Sequence, residues 1–489
     1  MKMNRSDGNC RIASLWAAIL QRGILPGDSS RISRYIMILS AIATMLLFGT
    51  TVVNAANVYV RAGANGTKNG SDWTNAYTSL PATLIRGNTY YITGGNYGSH
   101  NFSDAVSGTS FIIIKKATVS DHGGTVGWTD SYASGQAVFT KWSFSQGYYD
   151  IDGVTGGGPG SWTSGFGIRV YGGGIGGKVV TLSGTSASHL RFRHIDFEHD
   201  QGRNSHNAIE DIFYAIDANT DILIQYSYLH DVSRCQFVTR GLTNMTLEYS
   251  KIARNGDGIG DTIHREAWSG VAEKNVTIRY NIFEDISNTT FIGIVNNGGD
   301  NITDNWAIYG NVFLHTPGGT GGVSNWIQAG YNSTMTISNW KIYNNTIVGI
   351  KGTSNIYAPG TLINNVAYNN IFYLNHGNAT GVSAFTHDYN FYSDNYRTEG
   401  CNPKCDLDVA AAAADAHGQN STGNPFVDWV NGDFRLSKPT NIGITLSLPH
   451  NVDPFGTIRG LDGVWDRGAY EFSGVPGVLP KYPFDIQIK

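Results

Sequence analysis

From about residue 190 onward the chain is built of short runs in which apolar and polar side chains alternate, and the runs resemble one another. Ile222–Leu229 reads ILIQYSYL, Met245–Ile252 MTLEYSKI, Val276–Phe283 VTIRYNIF, Trp306–Phe313 WAIYGNVF, Trp340–Ile347 WKIYNNTI and Val366–Phe372 VAYNNIF. An earlier copy ends in His194–Phe197 and a later one spans His387–Tyr392. Alternation with period two predicts strands. In the Val276 copy, Val276, Ile278 and Phe283 are expected to face a core, with Thr277 and Arg279 outside. No apolar pattern of period 3.6 accompanies these runs, so helices are not expected there.

Aligning the copies makes Ile195, Ser227, Ser250, Asn281, Asn311, Asn345, Asn370 and Asn390 equivalent, at steps of 32, 23, 31, 30, 34, 25 and 20 residues. Such a spacing suits one coil of a solenoid. A β-propeller would need longer blades of four strands. The recurrent Asn has a physical use, since a side-chain amide both donates and accepts. Stacked one strand spacing apart, these amides can bond one another and the backbone of the turn. Asn also tolerates the left-handed conformation that sharp turns require.

The repeats resemble those of the pectate-lyase-like superfamily of right-handed parallel β-helix proteins, over roughly residues 57–395. The opening, with Val58-Tyr59-Val60, Gly70-Ser71-Asp72-Trp73 and Thr89-Tyr90-Tyr91-Ile92, is similar to the first coil of such secreted proteins. The resemblance implies an all-β fold, a single right-handed parallel β-helix over residues 56–400, and carbohydrate as the ligand class. Residues 401–489 are expected to form a small capping segment that covers exposed strand edges. Within it, Asp406 to His417, with its Val409–Ala414 run and Gly418 behind, predicts one short helix.

Composition narrows the setting. The 489 residues include 61 Gly, 13 Pro and 15% charged residues, which suits strands joined by tight turns. Arg31 and Arg34 precede an apolar run ending near Val53-Asn54-Ala55, so residues 1–55 read as a signal peptide, with an uncut membrane anchor as the alternative. The protein is therefore expected outside the cell or in the periplasm, with no membrane span after cleavage. Without this leader the chain carries 28 basic and 36 acidic residues, a net charge of −8. That balance disfavours nucleic acid as a partner. Cys401 and Cys405 are close enough to close a small disulfide loop, and Cys235 reads as a buried filler.

The candidate chemistry falls in three places. Four positions beyond the marked residues lie His199, Asp231, Arg254, Asp285 and His315; one position earlier stand Glu198, His230 and Glu284. If the register holds, they form a charged strip in which opposite charges neutralise each other. Its His199, His230, Asp231 and Arg254 are candidate substrate-binding residues. The densest cluster is Asn255–Glu266, with Asp257, Asp261, His264, Arg265 and Glu266 as catalytic candidates. A carboxylate beside His264 would set its tautomer and raise its pKa, and Asp257 and Asp261 are candidate Ca²⁺ ligands in a Gly-rich loop. Trp268 is a candidate platform for a sugar ring. Two reactions fit. A polysaccharide lyase acting on a uronate polymer would use His264 or Arg265 as base. A glycoside hydrolase would use two of Asp257, Asp261 and Glu266. A glycan-binding adhesin without catalysis is the third reading. The Asn-X-Thr triplets at Asn244 and Asn275 add possible glycosylation sites.

Overall fold

The computed structural model describes residues 55–474 except 204–208, 257–262, 297–298, 300, 318, 320–322, 324, 331–333, 351–353, 376–384, 394–414 and 422. Its regular structure is almost wholly β, and every strand pairing of the coils is parallel. It is the all-β parallel solenoid that the period-two pattern predicts. Three ladders of strands run its length. One passes through Asn57–Val60, Thr89–Ile92, Ile112–Lys116 and Tyr149–Asp152 to Thr386–Asp388. A second contains Ile195–His199, Tyr228–Val232, Lys251–Asn255 and Ile282–Glu284 and ends at Gln419–Ser421. The third contains Asp211–Ala215, Cys235–Arg240, Glu266–Val271 and Thr290–Val295. Between Tyr149 and Tyr357 each coil contributes one strand to each ladder, and neighbouring chain segments lie from 20 residues apart, at Asn370 and Asn390, to 42 apart, at Gly95 and Ala137.

Side chains at alternate positions fill the interior. Val276, Ile278 and Phe283 are all fully buried, in the orientation that their repeat predicts. Ring stacks continue from coil to coil, as in Phe283 on Phe313 at 4.7 Å and Trp306 on Trp340 at 4.7 Å between centroids. Trp268 belongs to this core. It lies between Phe237 and Trp306 at 4.8 and 5.6 Å and donates its indole N–H to Thr239 Oγ1 at 2.9 Å. With no exposed face it cannot serve as a sugar platform, because its apolar flank is worth more inside the coil than outside it.

The asparagine ladder forms. Asn281 N and Nδ2 donate to Asn311 Oδ1 at 2.9 and 3.0 Å, and Asn311 does the same to Asn345 at 3.1 and 3.0 Å. Asn345 continues to Asn370, and Asn370 to Asn390. Upstream, Ser227 N donates to Ser250 Oγ at 3.0 Å, and Ser250 N to Asn281 Oδ1 at 2.9 Å. Every rung donates toward the next coil, so the last needs only an acceptor. Asp415 supplies it, taking both donors of Asn390 at 2.9 and 3.0 Å. One detail differs from expectation. The left-handed residue is not the rung but the one before it: Tyr226, Tyr249, Tyr280, Gly310, Asn344, Asn369 and Tyr389 all have φ between 48° and 65°. The bend is made there, which aims the next side chain inward along the stack.

The C-terminal segment packs along the flank of the solenoid. Phe426, Phe434, Leu436, Ala469 and Tyr470 pack against Ile282, Val312, Val348, Ile371 and Phe391 on the outer face of the second ladder. Those outward side chains are apolar, so they need a lid along the flank of the solenoid. The expected helix at Asp406–His417 lies outside the described residues up to 414, and Asp415–His417 is a turn. Cys401 and Cys405 also lie outside the described residues. Cys235 is a buried free thiol. No helix among the described residues is long and apolar enough to cross a membrane.

Candidate functional site

The charged strip follows from the register. Glu198, His230, Ala253, Glu284 and Leu314 are consecutive neighbours in the second ladder, so His199, Asp231, Arg254, Asp285 and His315 follow them one residue on. Asp231, Arg254 and Asp285 have φ between 50° and 52°, so the strip marks the corner at which the chain leaves this ladder. The strip is not one open surface. Its members are locked into separate groups.

The largest group centres on His230. Its Nε2 stands 2.8 Å from Asp196 Oδ1 and its Nδ1 2.7 Å from Asp231 Oδ2. Arg254 donates Nε and Nη2 to the two oxygens of Asp231 at 2.8 and 2.5 Å. Arg169 bonds Glu198 and lies 3.5 Å from Asp196. Tyr228 stacks beneath the imidazole at 3.8 Å. Burial opposes charging His230, but the bonds to Asp196 and Asp231 outweigh it and raise its pKa. Burial likewise opposes ionising Asp231, and the Arg254 and His230 bonds overcome it and hold its carboxyl well below the usual range. Glu198, His230 and Asp231 are close enough to share an ion, the one such group among the described residues. They fit a cation poorly, because the guanidiniums of Arg169 and Arg254 already occupy oxygens that it would need.

His199 stands apart from this group. It is fully buried, packed on Gly173, where a Cβ would sit 2.4 Å from its Nε2. It is not open to a substrate. Asp285 is bound by Thr316 N and Oγ1 at 2.8 and 2.7 Å and lies 3.3 Å from His315.

Across the corner, at the start of the third ladder, His264 Nδ1 is 2.9 Å from each oxygen of Glu266. Glu266 is nearly buried and also accepts from Cys235 Sγ at 3.5 Å, whereas the His264 side chain is 64% exposed. The Glu266 hydrogen bond and charge raise the His264 pKa, and desolvation, then Arg234, pull it back in part. Arg234 itself grips the fully buried Asp211 at 2.7 and 2.6 Å, with Lys178 Nζ 3.0 Å from the same carboxylate.

No family model and no curated protein matches the chain.

The arrangement sorts the catalytic candidates. A general base needs a lone pair that substrate can reach. Both nitrogens of His230 are engaged, so it holds its neighbours in place. His264 has Nδ1 held by Glu266, and among the described residues Nε2 makes no hydrogen bond. Arg265, the alternative base, is 1% exposed, with its guanidinium against Gly256, where a Cβ would lie 1.5 Å from Nη1. It cannot meet a substrate proton, and a guanidinium scarcely deprotonates. Asp257 and Asp261 lie outside the described residues.

Arg169, Asp196, Asp211 and Arg234 were not singled out from the sequence. Their one signal is parity. Arg169 and Asp196 occupy neighbouring outward positions in paired strands, but the earlier coils carry no Asn to fix their register.

Proposed function

We propose that the chain is a secreted carbohydrate-active protein of the pectate-lyase-like kind, a polysaccharide lyase that cleaves a uronate polymer by β-elimination. The observation that carries this reading is the His264–Glu266 pair: an exposed imidazole with one nitrogen pinned by a nearly buried carboxylate. Glu266 accepts from Nδ1–H, which fixes the tautomer and leaves Nε2 as the base. Nε2 takes the proton from the ring carbon that bears the carboxylate. The electron pair left behind forms a double bond to the neighbouring ring carbon. The bond from that carbon to the glycosidic oxygen breaks, and the oxygen leaves with the electron pair and takes a proton from water or the imidazolium. Negative charge builds on the substrate carboxylate during proton removal. Arg234 and its partner Asp211 act on His264 with opposite signs, so stabilising this charge falls to a bound cation. In this reading Asp257 and Asp261 are the candidates to hold Ca²⁺, which would neutralise a uronate carboxylate.

Hydrolysis would need a carboxylic acid free to protonate the leaving oxygen. Glu266, the described candidate, is instead committed to His264 and Cys235.

The test is a panel of uronate polymers incubated with residues 56–489, with and without calcium. Ultraviolet absorbance of an unsaturated uronate product should rise, and His264→Ala should abolish the rise. Reducing ends without that absorbance mean hydrolysis, and glycan binding with neither product means an adhesin; either result overturns the lyase reading.

A further inference from the structure

At the corner between the first and second ladders a groove of about 530 Å³ lies under the glycine-rich segment 153–167. Its walls include Lys116, Gln136, Thr155, Ser164, Phe166 and Asp196. Lys116 ends the strand Ile112–Lys116 and is 2% exposed. Its aliphatic stem packs against Gly167, where a Cβ would come within 2.8 Å of Lys116 Cγ. Its ammonium donates to Ala117 O and Ala133 O at 2.9 and 2.8 Å. Those are neutral partners, and among the described residues Lys116 forms no ion pair. Asp196, on the facing wall, is already neutralised by His230 and Arg169.

A buried ammonium without a counter-charge is costly to keep. Desolvation pulls its pKa down to about 8. Methionine would fill the same space without that penalty but would take the donor from both carbonyls; those carbonyls hold the ammonium without balancing its charge, which an anion in the groove beside it would do. The remaining walls say which kind. Gln136 and Ser164 can bond ring hydroxyls, Thr155 Oγ1 donates to Gly165 O at 2.9 Å and can still accept from one, and Phe166 offers an apolar edge.

We infer that this groove binds one uronate residue of an acidic glycan, with the sugar carboxylate on Lys116 and its hydroxyls on Gln136, Thr155 and Ser164. The site is separate from the His264–Glu266 pair. It takes its substrate class from the lyase reading, but binding here needs no bond cleavage.

Binding is measured by calorimetry on residues 56–489, with a uronate trisaccharide, its neutral analogue and inorganic phosphate as probes. The uronate is expected to bind, the neutral analogue to bind at least about tenfold more weakly, and Lys116→Met to lose about tenfold or more in uronate affinity. If Lys116→Met fails to fold, Ser164→Trp decides. Ser164 is exposed on the rim and takes no part in the lysine contacts to Ala117 O and Ala133 O, so an indole there is expected to occupy the groove. It should abolish uronate binding at an unchanged melting temperature. Uronate affinity unchanged by the folded variants, or phosphate binding as tightly as uronate, overturns the inference. His264→Ala separates this inference from the lyase reading. If it still binds uronate and no polymer is ever cleaved, the groove stands and the lyase falls. If polymer is cleaved but no variant alters binding, the lyase stands and the groove falls.

Discussion

Replacing Asn311 by Ala removes the middle rung of the asparagine ladder. Its Oδ1 accepts from Asn281 N and Nδ2 at 2.9 and 3.0 Å, and its Nδ2 donates to Ile278 O at 2.8 Å and Asn345 Oδ1 at 3.0 Å. Both Asn281 and Asn311 are buried beyond the reach of water. Alanine leaves the Asn281 backbone N–H without its acceptor, and an orphaned buried donor costs about 1–3 kcal/mol. Loss of the other amide bonds brings the expected destabilisation to about 2–4 kcal/mol. A control separates the ladder from asparagine in general. Asn275 bonds Asn244 and Asn305 in an exposed stack and has φ of 56°. Asn275→Gly keeps that conformation at no steric cost and should change stability by less than about 0.5 kcal/mol. Coils of a solenoid can unfold unevenly. The assay is therefore a denaturant midpoint together with amide hydrogen exchange at Asn281 and at a distant coil. Asn311→Ala should accelerate exchange at Asn281 far more than at Tyr90. Equal effects of the two variants, or unchanged protection at Asn281, would refute the claim that the inner amides hold the coils in register.

Other consequences follow from buried charge and the core. Glu273 is fully buried, and desolvation lifts its carboxyl from 4.5 to about 7 against bonds from Thr239 Oγ1 at 2.7 Å and Val271 N at 2.6 Å. The folded-state pKa lies above the unfolded one, so stability falls as pH rises from about 4.5 to about 7 and is level above, by about 3 kcal/mol in all. Glu273→Gln should flatten that stretch of the melting-temperature profile; an unchanged slope would place the titration elsewhere. Because Glu266 raises the His264 pKa, eliminase activity should climb only above the ordinary imidazole range, and Glu266→Gln should move the ascending limb to lower pH in a rate profile. Trp268→Ala should cost about 3–5 kcal/mol by opening a cavity in the core, and an exposed sugar platform there would instead leave the melting temperature unchanged. Arg254→Ala should free Asp231 for His230 and raise the charged fraction of the imidazole, because a guanidinium 3.3 Å from Nδ1 is removed while Asp196 and Asp231 still accept from the ring; imidazole NMR titration reads this directly, and a lowered charged fraction would refute it.

How much could be read along the chain depended on whether a residue's role is set by its own repeat or by a neighbour from another coil. Alternation in Val276–Phe283 already said which side chains face inward, because a strand's two faces are fixed by backbone geometry whatever surrounds it. The equivalence of Asn281, Asn311 and Asn345 gave the register of the later coils. A buried amide that donates one way and accepts the other is satisfied along the stack by a copy directly above it. The corner strip from His199 to His315 followed from that register. What the strip does could not be read. Arg254 closes on Asp231, and His230 turns to Asp196, a residue 34 positions earlier in the chain. Such pairings rest on rotamers and charge balance across coils that carry no common mark. Trp268 was misplaced for the same reason. An aromatic at a strand start looks the same on either face until Phe237 and Trp306 close around it. Lys116 is a mixed case. Alternation with Ile112 and Ile114 already puts it on the buried face of its strand, but only the packing of Gly167 against its stem and the roof at 153–167 place it beside a groove.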